Sequence, residues 1–205
     1  SATSNPRLIG TVVLEDPTQP IIKRGRKAFE TAMASTTGTF SCSSCHPDGH
    51  TDQLVWVLAT PIVTRGDQIQ PRITMPIRGL RDTEPYHWDG IPGDPYGGVN
   101  AANTDGYVPP NSDINDPTTS TLDLIDGGLA STMHWIGKTN TNDEGKTGNL
   151  TAAERDDLSV FLLSVPYPPA QRRAYDNVQS ERAKEGFRLF HIEGNGGGRA
   201  GVCGD

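Results

Sequence analysis

Cys42-Ser43-Ser44-Cys45-His46 is the stretch on which the reading of this chain turns. Two thiols separated by two residues, with a histidine next, have the spacing that covalent attachment of a c-type haem requires. The thiols add across the two vinyl groups of the porphyrin, and the adjacent imidazole turns onto the iron. A Cys42–Cys45 redox dithiol or half of a zinc site are the competing readings. A zinc site needs further Cys or His ligands at matching spacing, and the remaining cysteine is the distant Cys203. The motif therefore assigns Cys42 and Cys45 to haem attachment and His46 to the iron.

Upstream, Ile22, Arg26, Phe29 and Met33 fall at helical spacing, so a first helix is expected over residues 21–33, ended by Thr36-Thr37-Gly38. Further upstream, Leu8 to Leu14 reads as a strand or extended arm closed by Asp16-Pro17. Downstream, residues 61–120 are rich in Pro, Gly, Asp and Asn and promise little regular structure. A connection of that length is usually functional or wrapped round a cofactor. A second helix is expected from about Thr121 through Leu129 and Met133 to Trp135, weakened by Gly127-Gly128. The firmest helix follows Thr151-Ala152-Ala153-Glu154, a capping-box pattern, and stops at Pro166. After a Pro-rich linker, a last helix runs from about Gln179 to His191. It repeats the first: Gly25 and Phe29 stand 17 and 13 residues before Cys42, and Gly186 and Phe190 stand 17 and 13 before Cys203. The repeat makes Cys203-Gly204-Asp205 the opening of a second attachment motif, in a longer protein with at least two haems.

Composition agrees with a cofactor protein. Of 205 residues, 34% are hydrophobic, with 23 glycines and 16 prolines, so the apolar core is lean and a large flat cofactor would supply buried surface. The formal charge of -7 argues against nucleic acid or an anionic membrane as partner. No stretch approaches the roughly 20 apolar residues of a membrane span. A chain opening on the polar run Ser1 to Asn5 looks like a mature exported protein after signal removal, or a fragment.

The sixth iron ligand is open among Met133, Met75, His134 and His87, with Met133 preferred for its place late in the second helix, and a vacant position as a further alternative. His50, four residues past His46, reads as a loop histidine, and His191 is a remote candidate. Arg65, Arg72, Arg78 and Arg81 supply guanidinium forks suited to haem propionates, Arg78 and Arg81 foremost. Trp56, Trp88 and Trp135 read as packing residues.

Three segments in order, Cys42 to Asp52, Thr74-Met75-Pro76-Ile77-Arg78-Gly79-Leu80-Arg81, and Pro85-Tyr86-His87-Trp88-Asp89-Gly90, resemble the di-haem cytochrome c peroxidase and MauG-like superfamily. The resemblance covers about residues 20–205. It implies a mainly α fold: a cytochrome c-like helical domain around a covalent haem, with long irregular loops. Together with the upstream reading, the chain is expected to divide into an N-terminal extended arm (1–18), a c-type cytochrome domain (19–166), and a linker with the start of a second cytochrome domain (167–205). The resemblance implies haem c, a second haem at Cys203, Trp88 lying between the haems, methionine ligation before the closing helix, and in some members Ca²⁺, for which Asp89 to Asp116 offers oxygen ligands. The family's distal histidine has no counterpart between His50 and His87. Its catalytic glutamate, about twenty residues after the tryptophan, has no counterpart: no Glu lies between Glu84 and Glu144, and the stretch at that distance offers Asp105, Asp113 and Asp116. The expectation is therefore an electron-transfer cytochrome in the periplasm or outside the cell, serving a redox partner protein or adjacent haem domain, of unspecified oligomeric state. A peroxidase or MauG-like oxidoreductase and a haem-bearing surface or assembly module are the alternatives.

Overall fold

A computed structural model of the chain describes residues 10–13, 15–58, 70–87, 90–97, 109–134, 137–138, 140–168, 176 and 178–191. Among them the architecture is mainly helical: α1 (Pro20–Glu30), α2 (Cys42–Cys45), α3 (Pro117–Ala130), α4 (Ala152–Ser164) and α5 (Glu181–His191), with a two-stranded hairpin, β1 (Val55–Leu58) and β2 (Gln70–Ile73). Contacts divide the chain into two units, 1–166 and 167–205. No described helix is long and apolar enough to cross a membrane.

In the first unit α1 and α4 are the central pair. Pro20 opens α1, where its missing N–H costs nothing. The face it buries is Gly25, Ala28 and Phe29; of the expected stripe Phe29 is buried and Ile22 half-buried, while Arg26 and Met33 leave it. Thr31 turns the backbone to extended geometry (φ -78°, ψ 127°), so Met33 falls in a following 3₁₀ turn and is 66% exposed. Arg26 also leaves the stripe, pairing with Glu30 at 2.8 Å on the solvent side. Gly25 sets the crossing. A β-carbon there would stand 2.6 Å from Cβ of Phe161 and closer still to the carbonyl oxygen of Asp157, so the two backbones meet only because the residue is glycine. Phe29 then packs on Phe161, ring centroids 5.5 Å apart and tilted by 49°. The capping box of α4 forms as expected: Thr151 Oγ1 accepts from Glu154 N at 3.2 Å, and the Glu154 carboxylate accepts from Thr151 N at 3.0 Å.

Helix α3 is shifted against its sequence pattern, starting at Pro117 ahead of the expected Thr121 and ending ahead of Trp135. Asp116 caps its start, accepting from Thr118 N, and it ends at Ala130 where Ser131 breaks the dihedrals. Met133 therefore lies past the helix, tied back by its N–H to the Gly128 carbonyl at 3.0 Å. Thr121 joins α3 to α4 by donating to the Ser159 carbonyl at 3.2 Å. Beneath α4 the fully buried Arg155 donates to the carbonyls of Leu150 and Thr147 and to Asp126 Oδ1 at 2.7 Å. One guanidinium thus organises the whole segment before α4.

The expected long loop holds more order than its composition suggests. β1 and β2 pair antiparallel with Val55 opposite Ile73 and Trp56 opposite Arg72. Beyond the hairpin, Tyr86 is buried and its hydroxyl bonds to the Leu80 carbonyl and to Ser120, both at 3.0 Å. Residues 10–13 of the expected arm are exposed and form no strand. Arg65, Trp88, Asp89, Asp105, Trp135 and Cys203 lie outside the described residues, as does the glycine run before Cys203.

In the second unit α5 has the length of α1, with Gly186 and Phe190 at its sixth and tenth positions, as Gly25 and Phe29 are in α1. A β-carbon at Gly186 meets nothing within 4 Å among the described residues.

Candidate haem site

Helix α2 is one turn long and consists of the motif itself. Ser41 caps it: Ser44 Oγ accepts from the Ser41 N–H at 3.0 Å, and the Ser41 side chain serves the N–H of Ser44 in return. One helical turn between Cys42 and Cys45 sets both thiols on the same face, and both are free thiols. His46 follows at the helix end, its N–H bonded to the Cys42 carbonyl at 2.9 Å. The chain then reverses through Asp48 (φ 53°) and Gly49 (φ 75°). Gly49 is needed there, because a side chain would meet the stem of Arg78 at 3.1 Å in a left-handed conformation. The Asp52 N–H reaches back to the Cys45 carbonyl at 3.0 Å and closes the loop.

The thiols lack the property that dithiol redox work needs. Burial pushes the Cys42 thiol up to about 11. Burial and then the charge of Asp52 raise Cys45 as well. A redox dithiol needs one thiolate stabilised near neutral pH, and both shifts run the other way. Burial also holds His46 below the ordinary histidine value, against the backbone of His50 and Met75 and the charge of Asp52; the charge of His87 adds to the lowering. The imidazole is thus kept neutral, and its buried Nδ1 has no hydrogen-bond partner. A buried ring nitrogen without a partner is costly in a finished core and is suited to a site that a ligand completes.

Met133 comes to this place. It is buried, and its Sδ lies 3.7 Å from Cys42 Sγ, while its carbonyl accepts from Thr36 N at 3.0 Å. His134 beside it is half-buried, with Nε2 buried and unpartnered. The other candidates stand differently. Met75 is 38% exposed, although its backbone lies at the His46 ring. His87 is exposed at φ 63°. The side chain of His191 lies outside the described residues. His50 is the loop histidine that the sequence suggests: its Nε2 accepts from Arg78 Nη1 at 3.3 Å. Arg78 also donates from Nε to the Pro166 carbonyl at 3.0 Å, which brings its guanidinium to the haem-motif loop. Arg81 is exposed, and Arg72 donates to the Pro71 carbonyl next to it. No group of three or more His, Cys, Asp or Glu side chains gathers among the described residues, which leaves the zinc reading without a ligand set there. In the described part of the Asp/Asn-rich loop, Asp113 and Asp116 cap neighbouring backbone.

Two members of the site had only faint sequence signals. Asp52 accepts from Leu54 N at 2.9 Å and from the Trp56 indole N–H at 3.0 Å. Burial works against its charge, but these donors and the Thr74 side chain outweigh it and hold the carboxyl below the usual range. Trp56, 40% exposed, is thereby a hairpin residue facing the motif loop and not part of the core. Asp52 and Trp56 stand four apart, a spacing that a helix also produces, so nothing in the sequence marks the pair.

No protein-family model and no curated protein matches the chain. Among solved structures it is similar to hydrazine synthase of Kuenenia stuttgartiensis, in a structure pressurized with 20 bar xenon. The identity is 19% and the TM-score 0.52, over 92% of this chain and 58% of that one. The present chain therefore spans less than two thirds of that protein, and at this identity the likeness supports the mainly helical fold alone.

Proposed function

We propose that this chain is an exported c-type cytochrome that moves electrons through a haem c held by Cys42, Cys45 and His46. The observation that carries the proposal is the motif turn itself: two protonated thiols on one helical face and, beside them, a neutral imidazole whose buried nitrogen has no partner. Bound there, the haem supplies one-electron exchange at iron, and the protein sets its ligands, orientation and surroundings. His46 offers a proton-free nitrogen. Met133 offers a buried thioether from the segment after α3, a soft ligand that would hold the iron closed to substrates were the haem bound. Arg78 stands ready for a propionate, and Thr36 fixes the Met133 backbone. Electrons go to a redox partner protein or a neighbouring haem domain, and the α1-like pattern of α5 supports a second cytochrome unit built around Cys203.

Intact mass and a pyridine haemochrome spectrum test the assignment. One covalent haem per complete motif is expected, with a low-spin spectrum that peroxide and cyanide leave unchanged. A chain maturing without covalent haem mass overturns the proposal. A spectrum that shifts with either reagent replaces electron transfer by a peroxidase-type oxidoreductase.

A further inference from the structure

The loop that follows His46 doubles back, and the Asp52 N–H is bonded to the carbonyl of Cys45, so Asp52 stands against the turn that presents the imidazole. Its two carboxylate oxygens are held separately, Oδ1 by Leu54 N and Oδ2 by the Trp56 indole. Both donors are neutral. They fix the charge in place without cancelling it, and no described cation pairs with it. A negative charge fixed beside an iron ligand stabilises the more positive ferric iron, by an amount that solvent screening of this exposed carboxylate reduces.

Resting on the haem assignment above, we propose that Asp52 is a positioning residue for the iron. Its fixed carboxylate makes the His46 imidazole electron-rich and lowers the reduction potential, and Trp56 tunes it by withdrawing charge through the indole hydrogen bond. A purely structural Asp52, present only to shape the entrance to β1, would be replaced by asparagine without electronic effect, because the carboxamide retains an oxygen for Leu54 N.

The test is spectroelectrochemical titration of the haem-loaded full chain. Asp52→Asn is expected to move the reduction equilibrium about tenfold toward ferrous iron, about 59 mV for one electron, with covalent haem and spin state retained. Asp52→Glu restores the charge and is expected to return the potential toward the parent. Trp56→Phe removes a donor and leaves the charge, so it is expected to shift the equilibrium the opposite way, toward ferric iron. A loaded Asp52→Asn chain whose equilibrium moves less than about twofold overturns this proposal and leaves the haem assignment standing. If Asp52→Asn does not accumulate with haem, Trp56→Phe decides: an unchanged or raised potential overturns the proposal. A parent chain without covalent haem overturns both readings together.

Discussion

Replacing Gly25 by alanine tests the helix crossing on which the whole first unit rests. On propensity alone the change is favourable, because alanine is about 1 kcal/mol better than glycine inside a helix. The structure reverses that sign. The new β-carbon would lie 2.6 Å from Phe161 Cβ and 2.7 Å from the Asp157 carbonyl carbon, and the obstruction is mostly helix backbone, which has no rotamer to move into. Forcing one carbon into such a contact costs about 3 kcal/mol, the upper part of the overpacking range, because α1 must lift off α4 and loosen Phe29 from Phe161. The net expectation is about 2 kcal/mol of destabilisation, a fall in Tm of about 4–8 °C for a unit of this size. Gly127 and Gly128 in α3 are the controls. A β-carbon at either meets nothing within 4 Å, so alanine there is expected to stabilise by up to about 1 kcal/mol. Urea unfolding followed by far-ultraviolet circular dichroism measures all three in one series. Gly25→Ala equal to or more stable than the parent would refute the close crossing, and with it the account of why α1 and α4 pair.

Four further expectations concern the site and its frame. In the haem-free chain, iodoacetamide should label Cys45 ahead of Cys42 at pH 8.5, with Cys42 labelling rising as pH climbs toward 11; equal rates under native conditions would contradict the burial of Cys42. Because the folded value of Cys42 is raised above its ordinary 9.0, this thiol favours the fold fully below pH 9, and that contribution is lost between pH 9 and about 11, as pH-dependent urea midpoints of parent and Cys42→Ser will show. Asp126→Asn strips the buried Arg155 of its carboxylate partner and should cost about 3 kcal/mol in urea unfolding, whereas exposed Glu30→Gln should change stability by less than about 1 kcal/mol. Met133→Ala should both destabilise by about 2–5 kcal/mol and convert the loaded haem toward high spin, while His134→Ala leaves the spin state unchanged; the reverse outcome would transfer the sixth-ligand role to His134.

By itself, the sequence determined the features whose cause is local. Cys42, Cys45 and His46 are bound by a spacing that only one helical turn need satisfy. Thr151 and Glu154 cap a helix with atoms three residues apart, and Pro166 stops that helix by lacking an N–H. The shared positions of Gly25 and Gly186, and of Phe29 and Phe190, are likewise visible as spacing. Where packing between distant segments governs, sequence reading erred or was silent. It placed Met33 and Arg26 on the buried face, because apolar periodicity cannot show that small residues, Gly25 and Ala28, are what a close helix crossing selects. It ran α3 on to Trp135, because the break at Ser131 is fixed by tertiary bonds, among them that from Thr36 to the Met133 carbonyl. The approach of Met133 to Cys42, 91 positions earlier, follows from that break, and only the folded chain shows it. Asp52 is the sharpest case: in the sequence it is one acidic loop residue among many, and only the folded chain shows its N–H closing the loop on Cys45 and its carboxylate held by the Trp56 indole.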